Sequence, residues 1–177
     1  LTDLDILART FGVVVTGIPV SGSIAVGDQV ELTPGSLTGR IRNIQCFLRD
    51  APHGAAGQCL ALNIPDFGKH PAERGQVLCQ PGYLRAAQLF HAQVQTVPGI
   101  DPPLRHAEAL KFHTGTVETP ASVYLLEEKS LERNRAGLVT IVTAHPIAAA
   151  VGDRFLLRRP SPAATIAGGE ILAVTDG

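Results

Sequence analysis

The sequence predicts an all-β protein: two consecutive small antiparallel β-barrels, over residues 1–84 and 85–177. Three observations carry this. Short β-branched or alternating runs recur between Gly- and Pro-rich turns about every ten residues, the spacing of all-β domains. The stretch Phe11 to Leu32 reads as strand, turn, short arm, turn, strand, which is a sheet curling on itself. Finally, Val26-Gly-Asp-Gln-Val-Glu-Leu32 is echoed by Val151-Gly-Asp-Arg-Phe-Leu-Leu157, each shortly after a Pro-containing strand end at Pro19 and Pro146. In both words Gly and Asp suit a tight turn, with the Asp carboxylate free to accept backbone N–H bonds and open a strand.

In order, Asp5–Ile18 is a strand region interrupted near Thr10–Gly12, where Val13, Val14 and Val15 are stiff at χ1 and favour extended chain. Val20–Ser23 forms an arm and Gln29–Leu32 a strand. Thr33–Gly39 is a loop around Pro34-Gly35. Arg40–Leu48 alternates in its first half and sets Ile41 opposite Arg40 and Arg42. Asp50–Gly57 is a loop, Cys59–Ile64 a strand, and Gln76–Cys79 another before Pro81-Gly82 closes the first half. The second half opens with a long alternating run, Ala86–Val97, and a stiff loop, Pro98–Pro103. The three-residue repeat of Leu104, Ala107 and Leu110 allows a short helix over Leu104–Lys111. Strands follow at Phe112–Val117, Ser122–Leu126, Gly137–Thr143, Arg154–Arg159 and Gly169–Val174.

The composition fits a folded chain of one large or two small domains, with 177 residues, 45% hydrophobic and 18% charged. Only six Phe and two Tyr serve as aromatics, so the core must be Val, Ile, Leu and Ala. Residues 1–84 hold six Arg/Lys against seven Asp/Glu, and residues 85–177 nine against nine, which removes a wholesale basic field but not local patches. Cys46, Cys59 and Cys79 are odd in number and lack a CxxC pair, as buried free thiols of a reducing compartment would be. No apolar run approaches the roughly 18 residues that cross a membrane, so a cytoplasmic protein without membrane contact is expected. The chain starts at Leu1 without Met and reads as a piece of something longer.

No enzymatic word is present. GxxxxGK[ST], GxSxG and HExxH are absent, and Gly12, Gly17 and Gly22 are spaced unlike a dinucleotide loop. No metal set and no catalytic residue is expected in this chain. His91 and His113 stand in alternating strands where they can converge across a sheet, and Lys111-Phe-His-Thr-Gly-Thr116 is the densest polar signal of the second half. His113 reads either as a ligand or as a hydrogen-bonded side chain at a strand–turn junction. Binding has more support. Arg40 and Arg42 share a strand face with Arg49 beyond, and Arg154 and Arg158 share another with Arg159 opposite. Guanidinium groups so placed suit one RNA backbone, although ordinary solvent-exposed arginines read the same way.

Phe11-Gly-Val-Val-Val-Thr-Gly17, Ser21–Leu32, Ala56-Gly-Gln-Cys-Leu-Ala-Leu-Asn63 and Glu73-Arg-Gly-Gln-Val-Leu78 resemble the second domain of translational GTPases of the elongation factor Tu class. Arg42-x-Ile-Gln45 and Ala-Leu-Asn63 narrow the resemblance to the selenocysteine-specific elongation factors. Phe112-His-Thr-Gly-Thr116, Gly152-Asp-Arg-Phe-Leu-Leu-Arg158 and Ser161-Pro-Ala-Ala-Thr-Ile-Ala-Gly-Gly169 resemble their third domain. The resemblance, from Asp3 to Val174, implies two barrels of the translation-factor type within a factor that delivers selenocysteinyl-tRNA to the ribosome. It implies GTP and magnesium in an N-terminal GTPase domain, none of it in these residues, and a monomeric protein whose partners are selenocysteinyl-tRNA, the ribosome and that GTPase domain. The first barrel would help hold the aminoacyl end, with Asp3 and Arg42 as candidates. Arg40, Arg49, His113, Arg154, Arg158 and Arg159 are the RNA-contact candidates.

Three departures from the family words are visible. Leu4 follows Asp3 where the family carries an arginine, Thr10 replaces the first Gly of a paired-glycine turn, and Pro19 interrupts Thr-Gly-x-x-x-Ser-Gly. A selenolate wants a positive partner, which leaves Arg42 as the matching arginine. The alternative is a barrel module of another or diverged translational GTPase, serving mainly as scaffold and ribosome contact.

Overall fold

The computed structural model describes residues 2–9, 12–68, 70 and 72–175, with side chains from Val14 onward. The chain divides into two compact units, Leu1–Arg85 and Ala86–Gly177.

In the first unit the strands are β1 (Thr2–Arg9), β2 (Gly12–Pro19), β3 (Ser23–Ala25), β4 (Gln29–Thr33) and β5 (Leu37–Arg40). They are followed by β6 (Asn43–Cys46), β7 (Arg49–Ala51), β8 (His53–Ala55), β9 (Leu60–Ile64) and β10 (Val77–Cys79). One sheet runs β1-β2-β9-β6-β7, a second β10-β4-β5, and a ribbon pairs β3 with β8. All recorded pairings are antiparallel. Between them lies a core of Val15, Val30, Leu32, Ile41, Ile44, Leu60, Leu62, Ile64, Phe67 and Leu78. Ile41 is buried and Arg40 and Arg42 are exposed, as the alternation read in Arg40–Arg42 predicts. The expected strand Arg40–Leu48 is nevertheless broken: β5 begins at Leu37 inside the expected loop Thr33–Gly39 and ends at Arg40, and Ile41-Arg42 link it to β6.

The expected loop Asp50–Gly57 is instead mostly strand, β7 and β8, because Pro52 breaks the run and hands its two halves to different partners. Cysteine burial also differs from expectation. Cys59 is exposed, being in the turn before β9, and Cys46 and Cys79 are only half-buried.

The second unit is a closed six-stranded barrel built from β11 (Ala86–Thr96), β13 (Glu108–Thr114), β14 (Val117–Leu125), β16 (Ala136–Ala148), β17 (Arg154–Pro160) and β18 (Ala163–Thr175). Its order is β11-β16-β14-β13-β17-β18, and β12 (Leu104–Arg105) pairs with β15 (Ser130–Leu131) outside it. Closure removes sheet edges and turns every second side chain inward. Phe90, Phe112 and Phe155 accordingly meet in the middle, with Phe112 ring centroids 6.2 Å from Phe90 and 5.1 Å from Phe155.

The short helix over Leu104–Lys111 does not form. Its three-residue apolar repeat is split by Ala107 at φ 60°, so Leu104 belongs to β12 and Leu110 to the inward face of β13. The barrel order also keeps His91 and His113 apart. They lie on β11 and β13, three strands from each other, and both alternate with buried neighbours, so they point outward on opposite sides.

Candidate nucleic-acid interface

In the first unit the interface candidates gather around β6. Arg42 lies in the two-residue link between β5 and β6, where its backbone N–H donates to the Asn63 carbonyl at 2.9 Å and leaves the guanidinium exposed. Arg40 ends β5 with its N–H on Asp66 Oδ2 at 2.7 Å. Asp50 faces Gln45 across the β6–β7 pair, and its Oδ1 accepts from Gln45 Nε2 at 3.0 Å and Asn43 Nδ2 at 3.1 Å. Those two donors, Gln45 foremost, hold the Asp50 carboxyl below the usual carboxylate range.

The tip of this hairpin is the feature that sequence reasoning missed. Cys46 pairs with Arg49, so the turn is Phe47-Leu48, at φ 50° and 65°. A two-residue turn with both centres at positive φ normally uses Asn or Gly. Here two bulky apolar residues take it, 70% and 93% exposed, next to Arg49. Strain and apolar exposure coincide at one point, a pattern that favours a binding role over a packing one. The only signal in the sequence was the absence of a turn former between Gln45 and Asp50.

Asp3 and Arg42 are not brought together by the register. The Asp3 side chain lies outside the described residues, as do Thr10 and the side chain of Leu4. The Asp3 backbone pairs with Ile18, whereas Arg42 adjoins the row Asn43–Asn63–Val14–Leu7, four residues along the strand, about 13 Å, and three strands across. A separate cleft of ≈ 660 Å³ is lined by buried Val15, Leu60 and Leu62 and by exposed Ser21, Asp28 and Tyr83, with none of the candidate arginines on it.

In the second unit the outward face of β13, β14 and β17 carries Lys111, His113, Glu118, Arg154 and Arg158. Register sets Lys111 beside Arg158 and His113 beside Glu118. Lys111 Nζ donates to Glu118 Oε1, and His113 Nδ1 lies 3.9 Å from Glu118 Oε2. The Lys111 hydrogen bond and charge lower the Glu118 carboxyl, with smaller help from His113 and Arg158.

Arg159 differs. Its Nε donates to Glu108 Oε1 at 2.7 Å and its Nη2 to the Pro103 carbonyl at 3.0 Å. At 13% side-chain exposure it is spent on joining β17 to the 103–108 segment rather than presented to a partner. His91 is similarly occupied, with Nδ1 3.1 Å from Thr140 Oγ1.

A family model described as "Selenocysteine-specific elongation factor, beta-barrel domain" matches residues 91–176. Among curated proteins, the selenocysteine-specific elongation factor of Desulfomicrobium baculatum is 29% identical over 161 residues, covering 91% of this chain and 25% of that protein. The one from Haemophilus influenzae is 30% identical over 166 residues, covering 93% and 26%. This chain thus spans about a quarter of the length of the curated relatives it matches. Among solved structures, translation elongation factor SelB from Methanococcus maripaludis in its apo form aligns over 99% of this chain and 42% of that one, with TM-score 0.82 at 19% identity, and so supports the fold.

Proposed function

We propose that this chain, a member of the selenocysteine-specific elongation factors, is the part of such a factor that holds selenocysteinyl-tRNA for delivery to the ribosome. The observation that carries the reading is the match of residues 91–176 to that family's β-barrel domain, together with relatives of the same description along more than nine-tenths of the chain. In this reading the first unit takes the aminoacyl end, with Arg42 at the start of β6 as the cation for a selenolate and Phe47, Leu48 and Arg49 at the far end of β6 as an apolar and cationic edge. The second unit takes the RNA backbone, with Lys111, His113, Arg154 and Arg158.

GTP and magnesium would be the business of a GTPase domain elsewhere in the full-length factor. No residue of this chain is assigned to them, since the phosphate-loop word is absent from the sequence. A diverged factor using the same units mainly as scaffold and ribosome contact is favoured by one observation, the Asp3-Leu4 pair in place of Asp-Arg.

The test is tRNA binding by the full-length protein with Arg42→Ala. Discrimination between selenocysteinyl- and seryl-tRNA should fall by about tenfold, the weight of one charge-assisted contact. Unchanged discrimination removes Arg42 from the pocket, and ribosome binding with no preference for any aminoacyl-tRNA favours the scaffold reading.

A further inference from the structure

We propose that Glu118 is a built-in stand-in for an RNA phosphate: it closes a cationic site formed by Lys111, His113 and Arg158, and a phosphodiester takes its place. This rests on the tRNA-holding role of the second unit and assigns the site and its occupant.

Lys111 and Arg158 are direct cross-strand neighbours on β13 and β17, and their side chains leave the same outer face of the barrel. Like charges so placed repel unless an anion is close by. Glu118 supplies that anion from β14, touching Lys111 and feeling the charge of Arg158 across β13. It stands opposite His113 on the other side of β13, and its two oxygens are divided between Lys111 Nζ and His113 Nδ1. One carboxylate therefore serves three cationic or cation-forming groups.

His113 marks the site as incomplete. Nδ1 is 3.9 Å from Glu118 Oε2, beyond hydrogen-bond distance. Nε2 of the same ring is shut off from solvent with no hydrogen-bond partner among the described residues. A ring left under-satisfied at both nitrogens gains from an anion that comes closer to Nδ1 than Glu118 does. A phosphodiester presents two unesterified oxygens with one negative charge, the same valence and reach as the carboxylate it displaces.

The exchange is feasible because the pair being broken is exposed. Lys111 and Glu118 side chains are 46% and 48% exposed, and exposed ion pairs are weak. The arrangement also rejects weak or singly placed anions, since any entrant must first replace a carboxylate already in contact.

The experiment is binding of a short fluorescent RNA duplex to the full-length protein, read by anisotropy at two salt concentrations. Glu118→Gln should bind about tenfold tighter at low salt, with the gain shrinking as salt rises. Lys111→Gln and Arg158→Gln should each bind about tenfold weaker and lower the salt slope by about one. In the Lys111→Gln background, Glu118→Gln should gain much less than alone.

Glu127→Gln, an exposed carboxylate outside the cluster, should change binding by less than about twofold. An equal gain from Glu127→Gln reduces the effect to net charge and overturns the proposal. Equal affinities of wild type and Glu118→Gln overturn it too, while a wild type that still holds the duplex leaves the tRNA reading standing. No duplex binding by any variant overturns both. Inorganic phosphate that displaces the duplex only at the concentrations where chloride does supports an RNA occupant. Displacement at far lower concentration assigns the site to free phosphate and overturns the RNA assignment.

Discussion

Asp28 and Asp153 occupy the same place in two copies of one turn. The Oδ2 of Asp28 accepts the Ala25 N–H at 2.8 Å, and the Oδ2 of Asp153 accepts the Ala150 N–H at 2.8 Å. The residue before each is a glycine at φ 96° or 91°, whose N–H reaches the carbonyl of Ile41 or Ile171 at 2.8 Å. Each isoleucine N–H returns to the carbonyl of its aspartate, at 3.0 Å and 2.9 Å. The seven-residue echo in the sequence is therefore one hydrogen-bonded device used once in each unit, pinning the start of a strand to a buried isoleucine.

Removing the carboxylate opens the turn. Asp153→Ala should lower the stability of the second unit by about 1 kcal/mol, and Gly152→Ala by a similar amount because alanine resists that φ. Urea unfolding followed by Phe or Tyr fluorescence reads both.

The hairpin tip should behave in the opposite sense. Phe47→Asn with Leu48→Gly gives the turn the residues its backbone asks for and should stabilise the first unit by about 1 kcal/mol. If the exposed pair serves binding, the same variant loses affinity for aminoacyl-tRNA. A variant that is both more stable and equally tight would show the tip to be strain without use.

Arg159 and Glu108 form a partly buried pair, at 13% and 19% side-chain exposure. Taking away either partner strands the other, so Glu108→Gln and Arg159→Met should each cost about 2 kcal/mol, whereas the double change to Met and Leu should cost much less. Neither single variant should alter RNA affinity as much as Arg158→Gln does. Thermal unfolding and duplex anisotropy on the same samples make that comparison.

The three thiols should not react alike. Cys59 is exposed, whereas burial raises the Cys79 thiol above the ordinary cysteine value and so reduces its thiolate at neutral pH. Iodoacetamide followed by peptide mass mapping should modify Cys59 first and Cys79 last among the three. Faster labelling of Cys79 would contradict its half-buried place on β10.

Much of this architecture is legible without coordinates, and particular residues show why. Val13–Val15 favour strand, the Gly27-Asp28 and Gly152-Asp153 words favour tight turns, and Phe90–Val94 alternates with the period of a pleat. These are local preferences, settled within a few residues by χ1 sterics, backbone φ and side-chain reach. Where a local pattern was ambiguous it misled: Leu104, Ala107 and Leu110 fit a helix by spacing, yet Ala107 turns the chain at φ 60°, leaving Leu104 in β12 and Leu110 in β13, which closes the barrel between β14 and β17.

The sequence by itself determined that the described chain is almost entirely β, in two halves that share a turn, and which family its words resemble. Which arginines remain free was decided only by the fold. Arg158 and Arg159 are adjacent in the chain, yet one stands outward beside Lys111 and the other is tied to Glu108. That division depends on which strands lie next to β17, and strand neighbours come from pairings some fifty residues away in sequence, which no local preference encodes.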